Sequence, residues 1–243
     1  MSTRQNRITS DYPDTSWTLI EEAGAGQSER ALARFRDLYF RSVRAYMAVL
    51  VRGTRLDANE VASDFFTDKV WGGTVLRSAN RSRGRFRHFL KTCVRNYVLS
   101  ARRKLRGDEA LTPIDTDHHG LPTDESSARF DVEWARAILE QAVEEARRSC
   151  EEKDQGVHFE VFRRRYLVDS DHAPDWSEVG QNLEGADGKA VRLGERAART
   201  HAETAIRHLR RAMLATLELQ TGSREAAENE MLTLLAILKG AAK

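Results

Sequence analysis

The spacing of apolar residues predicts helices along almost the whole chain. Leu32, Phe35, Leu38, Tyr39, Val43, Tyr46, Met47 and Leu50 recur at steps of three and four, one stripe of a helix that starts at Ser28 and ends near Val51, before Gly53. The next helix opens on Asp57-Ala-Asn-Glu60, a capping box in which Asp57 accepts early backbone N–H groups and Glu60 reaches back. It runs to about Trp71, with Val61, Ala62, Phe65, Phe66 and Val70 inward and Asp57, Glu60, Asp64 and Asp68 on the other side; Gly72 and Gly73 break it. Phe86, Phe89, Leu90, Cys93, Val94, Tyr97, Val98, Ala101 and Leu105 line a further helix to Arg106. Upstream, residues 15–24 read as a short helix capped by Ser16 and burying Trp17 and Ile20, behind a polar tail over 1–14.

The pattern lapses over 107–130, where Gly107, Pro113, Gly120 and Pro122 mark a flexible linker. His118 and His119 lie in it and read as solvated loop residues. Helical spacing returns over 131–153 (Val132, Ala135, Ile138, Leu139, Ala142, Val143, Ala146). It continues over 157–168, with Phe159, Phe162, Tyr166 and Leu167 inward and Arg163, Arg164 and Arg165 between them. A short helix over 175–183, a glycine-containing turn over 184–194 and a long helix over 195–219 follow. The long helix has its seam at Ala202, Ile206, Leu209, Met213 and Leu217. Short helix, turn, longer basic helix is the pattern of a helix-turn-helix. In the last segment, 221–243, Met231, Leu232, Leu234, Leu235, Ile237 and Leu238 are too apolar for open solvent. They predict a tail helix that folds back or binds a partner. The expected architecture is all-α: two small helical domains, 1–106 and 131–220, joined by the linker and followed by the tail helix.

Charge adds a division of labour. The chain has 243 residues and a net charge of only +2, but its blocks differ. Residues 108–160 carry fifteen acidic against five basic side chains, whereas residues 82–106 contain no Asp or Glu and nine Arg or Lys. A helix apolar on one side and cationic on the other serves either nucleic-acid phosphate or an anionic membrane. Arg95, Asn96 and Tyr97 place cationic, amide and aromatic groups together, which favours stacking on exposed bases. No apolar run approaches the length of a bilayer span, and the polar start predicts no signal peptide.

Chemistry is sparse. Cys93 and Cys150 lack CxxC spacing or clustered His, which argues against a zinc site or disulfide and fits a reducing cytoplasm. There is no P-loop, GxSxG or HExxH. Asp115-Thr-Asp117 and Asp169-Ser-Asp171 space carboxylates as a metal site would, but in loops where solvated acids are commoner than ligands. No catalytic residue, metal or cofactor is expected.

Several segments carry a resemblance: Ser16-Trp17-Thr18-Leu19-Ile20; Asp57-Ala-Asn-Glu-Val-Ala-Ser-Asp-Phe-Phe66 through Trp71; and Phe86-Arg-His-Phe-Leu90 with Arg95-Asn96 and Arg102-Arg-Lys104. Further on come Phe162 to Tyr166, Trp176-Ser-Glu-Val-Gly180 and Ile206-Arg-His-Leu-Arg-Arg211. Together they resemble the extracytoplasmic-function sigma factors of bacterial RNA polymerase. The likeness is greatest to the branch with a Trp-containing segment ahead of region two. The resemblance implies a region-two bundle that docks on the clamp helices of the polymerase and melts the nearer promoter element. It also implies a region-four helix-turn-helix that binds the flap and reads the distant element. Carried over, Asp57, Glu60, Asp64 and Asp68 become core-polymerase contacts. Arg87, Lys91, Arg95, Asn96, Arg102 and Arg103 become contacts to the melting strand. Arg196, Arg199, Thr200, Glu203 and Arg207 become contacts of the helix-turn-helix to duplex DNA. The implied partners are core RNA polymerase and promoter DNA, in the cytoplasm, with an anti-sigma factor or other regulator a candidate third. Ser100 departs from the Asp of many members, the turn over 184–194 is longer than usual, and the tail lies outside the family core. The alternative is a helix-turn-helix regulator that acts without polymerase.

Overall fold

The computed structural model describes residues 29–80, 85–106, 123–168, 173–185, 188–221 and 223–241. The expected short helix around Trp17, the linker over 107–122 with its two histidines, and both Asp-x-Asp loops lie outside them.

The fold is all-α. Helix α1 (Glu29–Leu50) buries the predicted stripe, and its Phe35 meets Tyr39 at 4.8 Å and Phe86 edge-on at 5.6 Å. Those contacts seat α4 (Phe86–Arg106) on it. Helix α2 (Ala58–Phe65) starts where expected: the Asp57 carboxylate accepts from the N–H groups of Asn59 and Glu60 at 2.8 and 3.0 Å. It then widens into a π-turn over Phe66–Trp71, closed by Gly72 N–H donating to Thr67 O at 3.3 Å. A Cβ on Gly72 would lie 2.4 Å from the Asp68 carbonyl oxygen, so only glycine fits this exit. The short α3 (Thr74–Ser78) leads toward α4.

Helix α5 is longer than the sequence suggests, Thr123–Glu151. Residues 123–130, expected in the linker, are its first two turns. The Gly and Pro signals stop at Pro122, and Asp124 and Glu125 favour the N-terminal end of a helix. Ser126 and Phe130 are fully buried there, with Phe130 edge-on to Tyr46 of α1 at 6.0 Å. Helix α6 (Gly156–Tyr166) follows, then a single helical turn α7 (Trp176–Val179). The long turn holds a two-stranded antiparallel hairpin, β1 (Leu183–Glu184) with β2 (Ala190–Val191), pairing Leu183 with Val191. Helices α8 (Glu195–Thr221) and α9 (Arg224–Ala241) complete the chain.

One apolar core runs from Ala31 of α1 through Phe130, Trp134 and Ile138 of α5 to Met213 and Leu217 of α8 and Met231 and Leu234 of α9. Two smaller clusters serve the helix-turn-helix end. Ala146, Cys150, Phe159, Phe162 and Ala205 form one; Val161, Val179, Leu183, Ala198 and Ala202 form the other. The front and back halves are therefore joined by shared helices. The N-terminal end of α5 and the C-terminal end of α8 close the front core, while their other ends carry the small clusters. The physical reason is Trp134: fully buried, it donates from Nε1 to Gln220 Oε1 at 3.3 Å and ties α5 to α8 inside the core.

Candidate nucleic-acid interface

Three groups of expected contact residues take different positions. On α2, Asp57, Glu60, Asp64 and Asp68 are all exposed and form the expected acidic row. Two of them also have local work: Asp57 caps the helix, and Asp68 Oδ2 accepts from the Tyr97 hydroxyl of α4 at 3.2 Å. Burial first, and then Asp68, push the Tyr97 phenol up to about 12, so it stays a donor. Trp71, at the end of the row, is 48% exposed.

On α4 the six expected contacts do not share a face. Arg87, Lys91, Arg95 and Arg102 follow at steps of four and seven and form one row; Asn96 and Arg103, seven apart, lie on another. Asn96 is exposed, and Arg95, Arg102 and Arg103 are half-buried. Arg87 and Lys91 are corrections to the expectation: both are buried, and both face acids of the chain itself. Asp131 of α5 accepts from Arg87 Nη1 at 3.1 Å and lies 2.7 Å from Lys91 Nζ, which also donates to Ser127 at 2.8 Å. The Arg87 guanidinium stacks on Trp134 at 4.7 Å, and its Nε is 3.0 Å from Glu230 of α9. Arg85 reaches the other oxygen of Glu230 at 2.6 Å. Burial holds the Lys91 ammonium below its ordinary value, opposed by Asp131. The stripe had placed Arg87 and Lys91 off the apolar face. In the fold that flank is where α5 and α9 pack.

On α8, Arg196, Arg199, Thr200, Glu203 and Arg207 are all exposed, and their three- and four-residue steps put them on one face of the first three turns. Arg199 lies over the Trp176 ring at 4.8 Å, and Arg165 of α6 lies over the same ring at 5.5 Å and over Tyr166 at 5.8 Å. This stack holds the N-terminal part of α8 against α6 and α7. Arg164 has a structural part in it. Its guanidinium donates to the carbonyls of Gln181 and Asn182 at 2.7 and 3.0 Å and to Glu160 at 2.7 Å, bracing the turn after α7. Leu193 N–H donates to Gly180 O at 2.9 Å across the same turn.

A second polar seam joins α6 to α8. His158 and His201 stack at 4.0 Å, and His208 contacts Ser149 and Gln155 at 2.9 and 3.1 Å. Burial holds His158 and His208 below their ordinary value, helped by neighbouring cations and, at His158, by His201.

Trp134, Asp131 and Glu230 escaped the sequence reading, although Glu230 left a trace. It interrupts the stripe Ala227, Met231, Leu234 at a core-facing position. No family model, curated protein or solved structure matches the chain. No helix among the described residues is long and apolar enough to cross a membrane.

Proposed function

We propose that the chain is a promoter-specificity subunit of bacterial RNA polymerase, a cytoplasmic sigma factor without catalysis of its own. The observation that supports it is the pair of exposed rows of unlike character on one chain. The acidic row of α2 suits docking on a basic polymerase surface. The row on α8, with Arg196, Arg199 and Arg207 beside Thr200 and Glu203, suits a helix laid in the major groove. Asn96 and Arg103 remain open on α4 for a separated strand.

The test uses Glu60→Lys with Asp64→Lys, because these two acids neither cap α2 nor hold Tyr97. The wild type is expected to bind core polymerase at low salt. The double variant should lose at least tenfold in that binding, about 1.4 kcal/mol, and keep its DNA affinity. A wild type that ignores core polymerase at low salt overturns the proposal. A double variant that transcribes normally favours a regulator acting without polymerase.

A further inference from the structure

The tail helix ends in the middle of the cationic row of α4. Glu230 is 2% exposed and sits between Arg85, at 2.6 Å, and Arg87, at 3.0 Å. Its helix is held by a narrow seam of Ala227, Met231 and Leu234, and only two residues separate it from α8. Neither contact is aligned as a hydrogen bond: Arg87 Nε and Glu230 Oε2 are both buried without a hydrogen-bond partner. Such a pair loses its hydration and recovers only part of it from the facing charge. An apolar residue would close the same seam at lower cost, so stability alone gives no reason for a carboxylate here. Arg87 has a complete alternative in Asp131 and Trp134, whereas Glu230 has only the two arginines.

We propose that α9 is an internal shield in which the Glu230 carboxylate stands in for nucleic-acid phosphate, and that displacement of α9 opens the Arg85–Arg87 end of α4 to single-stranded DNA. The proposal rests on the nucleic-acid reading given above. In the closed form Asn96 and Arg103 can meet a strand while Arg85 and Arg87 cannot. In the open form the strand gains two more phosphate partners.

The test is fluorescence anisotropy of a labelled single-stranded oligonucleotide with full-length protein over a salt series. Each newly neutralised phosphate steepens the logarithmic salt dependence by about 0.7, so Glu230→Gln should steepen it by about 1.4 and bind several-fold tighter at low salt. Glu228→Gln, exposed on the same helix and removing the same charge, should leave the slope unchanged. Arg85→Gln should have no effect alone and should take back about half of the gain of Glu230→Gln. The wild type supplies a readout that needs no variant: saturating oligonucleotide should raise amide hydrogen exchange over 224–241. Equal slopes for wild type and Glu230→Gln, or unchanged protection of α9 on DNA, overturn the shield while leaving the sigma-factor reading standing. If no form binds DNA, alone or with polymerase, both fall.

Discussion

Gly180→Ala tests whether the backbone contact after α7 positions α8. Gly180 has φ −80° and ψ −1°, a conformation open to any residue, so the substitution strains nothing locally. The obstacle is across the turn. A Cβ would lie 2.3 Å from the Leu193 carbonyl oxygen and 3.1 Å from its carbon, where ordinary contact begins at 3.4 Å. Both partners are backbone, so no rotamer relieves the overlap, and the two segments must separate by about 1 Å to restore ordinary contact. Overpacking of this kind costs about 1–3 kcal/mol. Straining the 2.9 Å bond from Leu193 N–H to Gly180 O adds about 0.5–1.5 kcal/mol. The lost flexibility of the unfolded chain returns about 0.4–1 kcal/mol. The expected net is about 2–3 kcal/mol, read as a lowered urea midpoint by circular dichroism. Gly194→Ala is the control, since nothing lies within 4 Å of its Cβ position. A Gly180→Ala protein within about 0.5 kcal/mol of wild type refutes the argument, as does equal damage from Gly194→Ala.

Two further outcomes follow from the polar groups. Asp131→Ala leaves Lys91 and Arg87 buried without their shared carboxylate and should cost about 3 kcal/mol in urea unfolding, the low end for a broken buried pair because Asp131 keeps some exposure. Glu140→Ala, which removes an exposed partner of Arg41, should change stability by less than about 1 kcal/mol. The histidine seam sets a pH dependence. His158 and His208 titrate below their ordinary 6.5 when folded, so the unfolded chain takes up protons first as pH falls. Their contribution is complete above 6.5 and is lost as pH drops through the lower folded values. The urea midpoint should therefore fall between pH 7 and 5, and His158→Gln with His208→Asn should flatten that fall. Glu160, held low chiefly by its hydrogen bond from Arg163, titrates below 4.5 and stays outside this window.

Local spacing determined the helices. The stripe of α1, the Asp57 cap and the acidic row of α2 follow from residues within a few turns of one another, and such short-range rules are readable without a fold. The row on α8 was legible for the same reason: five residues on one helix keep their relation wherever that helix lies. The π-turn before Gly72 and the hairpin before α8 were not, because each depends on where a facing carbonyl ends up. The cationic row of α4 shows the limit most directly. Periodicity placed Arg87 and Lys91 off the apolar stripe and so toward solvent. The cover came from Asp131 and Glu230, 44 and 143 residues away from Arg87 along the chain. Only tertiary packing chooses such partners, since burying a charge is tolerable only when a distant opposite charge arrives at the same place.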